Sequence, residues 1–193
     1  MRCKNVISSL GTLVIAANVV CSAQTQAQMK AETVRSHHGA AVQTLRRYVQ
    51  LRLENADWND YSKLVTWPDE PSWDCNWVVA KYEVDAPKQA RDRVVVPVLY
   101  HRIGLFCYDF DFKPESRTVT VNYELVGVDK VWKVDGPVPD YPDVSADVLL
   151  KSLRASAQNA AESSERRAQF SATARKLADV LSVSRPGGLG PRS

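Results

Sequence analysis

Few side chains here have the type and spacing that chemistry requires. His101 sits in a stretch of strand-like alternation and is the residue type that changes charge near neutral pH, so it is suited to act as a general base at a pocket mouth. Asp109 and Asp111 stand two apart. On a strand that spacing puts both carboxylates on one face, an arrangement for acid–base work or for a cation. No Ser or Cys nucleophile motif accompanies His101, and no EF-hand pattern surrounds the aspartates. Phosphate loops, nucleophile elbows and the Rossmann glycine pattern are absent. The plainer reading makes His101 a strand residue satisfied by backbone or solvent, and puts Asp109 and Asp111 on a polar face opposite Phe106, Tyr108, Phe110 and Phe112. His37 and His38 are adjacent, without the i, i+4 spacing of a helical metal pair, and read as solvated helix residues.

Four indoles, Trp58, Trp67, Trp73 and Trp77, form the most unusual cluster. They either line an apolar ligand pocket, with Tyr100 and Tyr123 as further lining, or fill the core. Cys75 and Cys107 lie far from a close His partner and lack zinc-type spacing, so they point to no metal. In an oxidising compartment they are expected to join, closing a loop of about 32 residues at a gain of about 3 to 4 kcal/mol in the chain-entropy picture. No cofactor is implied by any motif.

The elements that must position these residues follow from periodicity. From Ala31 to Leu53 the apolar positions Val34, Ala41, Val42, Leu45, Tyr48, Val49 and Leu53 fall at three-and-four steps, the stripe of an amphipathic helix. A short helix is expected after Asp57, through Trp58, Tyr61, Leu64 and Val65, with Pro68 ending it. From Asp74 the period becomes two. Strands are expected around Val78–Val84, Val94–Tyr100 and Phe106–Phe112, with Gly104 interrupting. A cleaner one follows at Arg117–Val126, returning through Val131–Val134, and this last hairpin is placed at the sheet centre. Ala86–Arg91 and Lys113–Ser116 read as connections, and Pro97 argues for an edge or a bulge. Gly136 and three prolines end the sheet. Asp143 or Ser145 caps a following helix, and Ser163 or Ser164 starts another carrying Phe170, Ala174, Leu177 and Leu181.

Composition bounds the class. The chain has 193 residues, 45% of them apolar and 24% charged, with 25 Lys and Arg against 22 Asp and Glu, a formal charge of +3. Such a balance argues against a dedicated nucleic-acid binder and against wholesale disorder. Arg2 and Lys4 precede an apolar run from Val6 to Val20, and small residues follow at Cys21-Ser22-Ala23 and Thr25-Gln26-Ala27, the pattern of a secretory signal over residues 1–27. Cleavage is expected before Gln24 or Gln28. No other run reaches spanning length, so no transmembrane segment is expected in the mature part. Residues 28–144 read as an α+β domain, 145–182 as a C-terminal helical extension, and 183–193, rich in Gly and Pro, as a disordered tail.

The order of elements predicts helices over one face of a curved antiparallel sheet of four to five strands. Val94–Tyr100, Thr118–Leu125 and the closing Val131-Trp132-Lys133-Val134-Asp135-Gly136 resemble the strand series of the nuclear transport factor two-like superfamily, cone-shaped α+β rolls that include polyketide-cyclase-like and ketosteroid-isomerase-like proteins. The resemblance covers roughly Thr33 to Gly136 and carries no catalytic motif. It implies a roll with a cone interior, in a secreted bacterial setting. The leading expectation is an exported, periplasmic or secreted, non-catalytic domain binding a small apolar ligand or a protein partner. A second is an isomerase- or cyclase-like enzyme using His101, Asp109 or Asp111 beside Tyr100 or Tyr123. A third is a periplasmic inhibitor or immunity protein. Oligomeric state is not readable from the sequence.

Overall fold

The three-and-four stripe of the first segment forms a helix, α1, seen from residue 38 to residue 53, with Ala41, Leu45, Tyr48 and Val49 buried along it. The computed structural model describes residues 38–69 and 73–184; the segment read as an export signal and most of the segment read as a tail lie outside these residues. The chain divides at Gly39, and the architecture below is that of the second unit, Ala40–Ser193.

Asn55 ends α1 at φ 56°, a left-handed position that Asn tolerates, while Ala56 N donates to Leu51 O at 3.0 Å. Then come α2 (Trp58–Tyr61) and a 3-10 turn, Ser62–Leu64. Asp57 is the N-cap of α2, but its backbone carbonyl rather than its carboxylate takes the bond, from Asp60 N at 2.9 Å. The strands are β1 (Cys75–Val84), β2 (Lys88–Ala90), β3 (Arg93–Cys107), β4 (Phe112–Val128), β5 (Val131–Gly136) and β6 (Asp143–Ser145), followed by α3 (Ala146–Gln158) and α4 (Ser164–Ser184).

The sheet runs in the order β5-β4-β3-β1-β6, with β2 added beside β3, and it curls into a half-barrel consistent with a cone-like roll. Among the described strands all pairings are antiparallel except β1 with β6, which is parallel through Trp77↔Asp143 to Val79↔Ser145; outside them Val65 makes an isolated parallel bridge to Val134. The expected α+β architecture is therefore present, with corrections. The β4–β5 hairpin is not the centre; β3 is, and β5 lies at the edge. Gly104 does not interrupt a strand: β3 continues to Cys107 across a register shift between Arg102 and Gly104. A Cβ at Gly104 would stand 2.4 Å from the Phe112 ring and 2.6 Å from Lys113 O, so close approach, not a turn, requires the glycine. Lys113–Ser116 belongs to β4 and residues 88–90 are a strand, where connections were expected. Val183 and Ser184 finish α4 instead of starting a tail.

Pro97 sits in the central strand. Its carbonyl accepts from Asp85 N at 2.9 Å, just past the end of β1. A strand residue's N and O point to the same side, so the N–H that Pro97 lacks would have faced Asp85, one residue past the end of β1 at Val84.

Two cores result. One joins α1 to Val94, Val96, Val98, Tyr100, Tyr123, Leu125 and Val134; the other joins α3 and α4 to Val78, Ile103, Phe112 and Val144. Val78 and Val79 are consecutive yet serve different cores, as a pleated strand allows. The Phe170, Ala174, Leu177 and Leu181 stripe of α4 is buried as its spacing predicts. Among the described residues no helix is long and apolar enough to cross a membrane.

Candidate functional site

A cleft of about 510 Å³ opens where the end of α1 meets the start of β1, the end of β3, and the β6–α3 junction. Arg52, Asn55 and Ala56 come from the first of these, Trp73 and Asn76 from the second, Phe106 and Tyr108 from the third, and Pro142, Asp143, Val148 and Ser152 from the last. Each is placed by a local cause. The left-handed turn at Asn55 folds Asn55 and Ala56 back against the helix end. The indole N–H of Trp73 donates to Pro139 O at 3.1 Å, which pins the ring to the loop before β6. Arg52 lies 4.8 Å from both the Trp73 and Tyr61 ring centres and donates to the Tyr61 hydroxyl. Tyr108 stands at the rim, 68% exposed.

Cys75 and Cys107 are bonded, as expected, at 2.03 Å, and are directly opposed across β1 and β3. Their chain neighbours Asn76 and Phe106 are likewise paired, so the bridge sits in the cleft wall.

Asp143 supplies the cleft's buried carboxylate. It accepts from Arg102 Nε at 2.8 Å and Nη2 at 3.0 Å. Burial pushes this carboxyl up from its ordinary range, and the Arg102 guanidinium, with Arg52 and Arg117 farther off, pulls it back. Arg102 and Arg117 lie over Trp77, at 5.1 and 3.8 Å from its ring centre, and this buried indole is not part of the cleft lining. The carboxylate–guanidinium pair joins residues 41 apart in the chain, and nothing in the local pattern around Asp143 beyond a capping residue signals it. Ser145, not Asp143, is the N-cap of α3, without a side-chain bond.

The structure separates the residues that the enzyme reading would unite. Tyr100 and Tyr123 are buried with their hydroxyls 3.1 Å apart, and Tyr48 packs edge-on against Tyr123 at 5.9 Å between ring centres. Burial raises all three phenols above their ordinary value, Tyr48 to about 12. They fill the interior of the roll and line neither described cavity. His101, one position along β3, points the opposite way. Its Nδ1 meets Thr118 Oγ1 at 3.2 Å and its Nε2 stands 3.8 Å from Glu83 Oε1. It lines a second cavity of about 470 Å³, with Lys81, Arg117 and the start of α3.

Asp109 and Asp111 do not share a strand face. They belong to the 108–111 turn between β3 and β4, in which Phe110 takes φ 60°. Asp109 Oδ1 accepts from Asp111 N at 3.2 Å, and Asp111 Oδ1 lies 3.5 Å from Lys176 Nζ. Gln169 and Thr173 donate to the carbonyls of Asp109 and Phe110, so these aspartates tie the turn to α4. The four indoles also divide. Trp58 packs on Tyr61 and Trp67 on Tyr48, both against the first core, and only Trp73 lines the cleft. Among the described residues no group of three or more His, Cys, Asp and Glu is placed to hold a metal ion.

No family model, curated protein or solved structure matches the chain.

Proposed function

We propose that this protein is an exported, non-catalytic binding domain of the nuclear transport factor two-like roll type, and that its ligand is a small molecule with an apolar or aromatic body and a polar end. The single observation that carries this reading is the cleft of about 510 Å³, a size suited to a small ligand. Trp73, Phe106 and Val148 offer it apolar surface, while Asn55, Asn76 and Ser152 offer hydrogen bonds. The mixed lining favours an amphipathic ligand over a purely apolar one. Export is supported by the leader-like residues 1–27 and by a bridge of the kind that persists in oxidising compartments.

The test uses the amphipathic dye 1-anilinonaphthalene-8-sulfonate, whose emission rises in apolar sites. Titration into the oxidised protein is expected to saturate at one dye per chain. Ser152 is exposed at the rim, so Ser152→Trp obstructs the cleft and leaves the cores intact. It is expected to weaken dye binding at least about tenfold, or 1.4 kcal/mol, at an unchanged melting temperature. No saturable binding, or binding indifferent to Ser152→Trp, would overturn the proposal.

A further inference from the structure

The bridge occupies an unusual place. Cys75↔Cys107 is the last rung of the β1–β3 ladder, and on either side of it the chain supplies cleft wall. Trp73 and Asn76 lie within two positions of one sulfur-bearing residue, and Phe106 and Tyr108 within one position of the other; all four line the cleft. Neither cysteine belongs to either core. Beyond the bridge, the two wall segments are joined to each other by Tyr108 N donating to Asp74 O at 3.0 Å, while each is anchored separately, Trp73 to Pro139 O and the 108–111 turn to Gln169 and Thr173. Both cysteines are only half-buried, so a reductant can reach them. The β1–β3 register continues from the bridge through Asn76↔Phe106 to Val84↔Val98.

We infer that Cys75–Cys107 is a redox control on the cleft, a conclusion that rests on the cleft being a ligand site. The co-reactant is a dithiol. Its thiolate attacks one sulfur, breaking the Cys75–Cys107 bond and forming a mixed disulfide. The second thiol of the reagent then displaces the protein sulfur, leaving two protein thiols and an oxidised, cyclic dithiol. Two electrons and two protons pass to the protein. The last rung then frays, the 73–76 and 106–108 walls part, and the ligand loses the surface formed between them. The same exchange run in reverse, with an oxidised cyclic dithiol accepting the two electrons and two protons from Cys75 and Cys107, re-forms the bond and restores the wall.

Hydrogen exchange and dye binding test this together, on the oxidised protein, on protein reduced by dithiothreitol, and on the Cys75→Ser/Cys107→Ser variant. The amides of residues 107 and 108 are expected to lose most of their protection in the two bridge-free forms, whereas the Val96 and Tyr123 amides, which open only with the whole fold, stay strongly protected and exchange faster only by the factor that the lower global stability sets. Affinity for 1-anilinonaphthalene-8-sulfonate is expected to fall at least fivefold in the same forms. Unchanged exchange at Cys107 and Tyr108 would overturn the control. So would protection at residues 107 and 108 that falls only in step with Val96 and Tyr123, which would make the bridge a brace for the whole fold, and so would local fraying with unaltered affinity. If the dye does not bind the oxidised protein at all, the ligand-site reading fails and the redox control of it falls with it, whereas failure of the control alone leaves dye binding intact and equal in all three forms.

Discussion

Replacing Asp143 with Ala isolates the energetic role of the buried pair. Asp143 and Arg102 expose 6% and 9% of their side chains, so neither charge has much water to fall back on. The substitution removes two charge-assisted hydrogen bonds and leaves a guanidinium sealed without its counter-charge, a loss of about 3 to 5 kcal/mol when a buried pair is broken from one side. The Trp77 and Tyr100 rings, at 5.1 and 5.6 Å from that guanidinium, soften the loss by about 0.5 to 2 kcal/mol. A net destabilisation of about 3 kcal/mol is expected, the lower part of the range. With a urea dependence of about 2 kcal/mol per molar, the unfolding midpoint at pH 7 moves down by about 1.5 M. The double variant Arg102→Met/Asp143→Leu removes both charges and is expected to recover most of the loss, because an apolar pair of similar volume carries no desolvation penalty. A loss under about 1 kcal/mol for Asp143→Ala, or a double variant less stable than the single one, would refute the claim that the pair is dry.

Two further outcomes are expected. Gly104→Ala should lower stability by about 1 to 3 kcal/mol through the forced contact with Phe112, whereas Gly127→Ala, with open space at its Cβ, should not do so; thermal melts that rank the two equally would contradict the packing. Asp135, whose carboxyl is held below its ordinary 3.8 first by the Thr66 hydroxyl and then by Arg93, adds stability that is present above 3.8 and lost as pH falls through its lower folded value. Asp135→Asn should therefore flatten the acid limb of the stability–pH curve, and identical limbs for the two proteins would reject that assignment.

Much of the fold was legible because its periodicities are local. The stripes of α1 and α4 and the alternation of Arg117–Val126 each report a buried face without knowledge of what covers it. The failures share a cause, which is that the deciding partner is remote. Gly104 resembles a breaker until Phe112, folded back from the next strand, is found in the space a side chain would need. The alternation of Phe106–Phe112 looks continuous, yet α4, some sixty residues on, captures the carbonyls of Asp109 and Phe110 and holds them as a turn. Asp143 has the local appearance of a helix cap, and only Arg102 reveals its other use. Three residues of β6 are too few to show any period. The tryptophans were recognisable as a cluster, but which one faces the cleft depends on Tyr61, Tyr48, Arg117 and Arg52, none of them legible from tryptophan spacing.

The parallel β1–β6 pairing has a consequence for the order of assembly. Strands β1 to β5 can zip through successive hairpins, whose contacts are close in sequence and form early. β6 can pair only after every one of those strands has been made, because the whole antiparallel sheet lies between its partner and itself in the chain. Until then one side of β1 from Trp77 to Val79 is an open edge, the kind of surface on which nascent chains stick to one another. Beyond Val79 that same edge carries the charged side chains of Lys81 and Glu83, which discourage another strand from adding there. The vulnerable interval therefore ends when residues 143–145 arrive, and a chain truncated before Asp143 should aggregate in place of folding to a smaller roll.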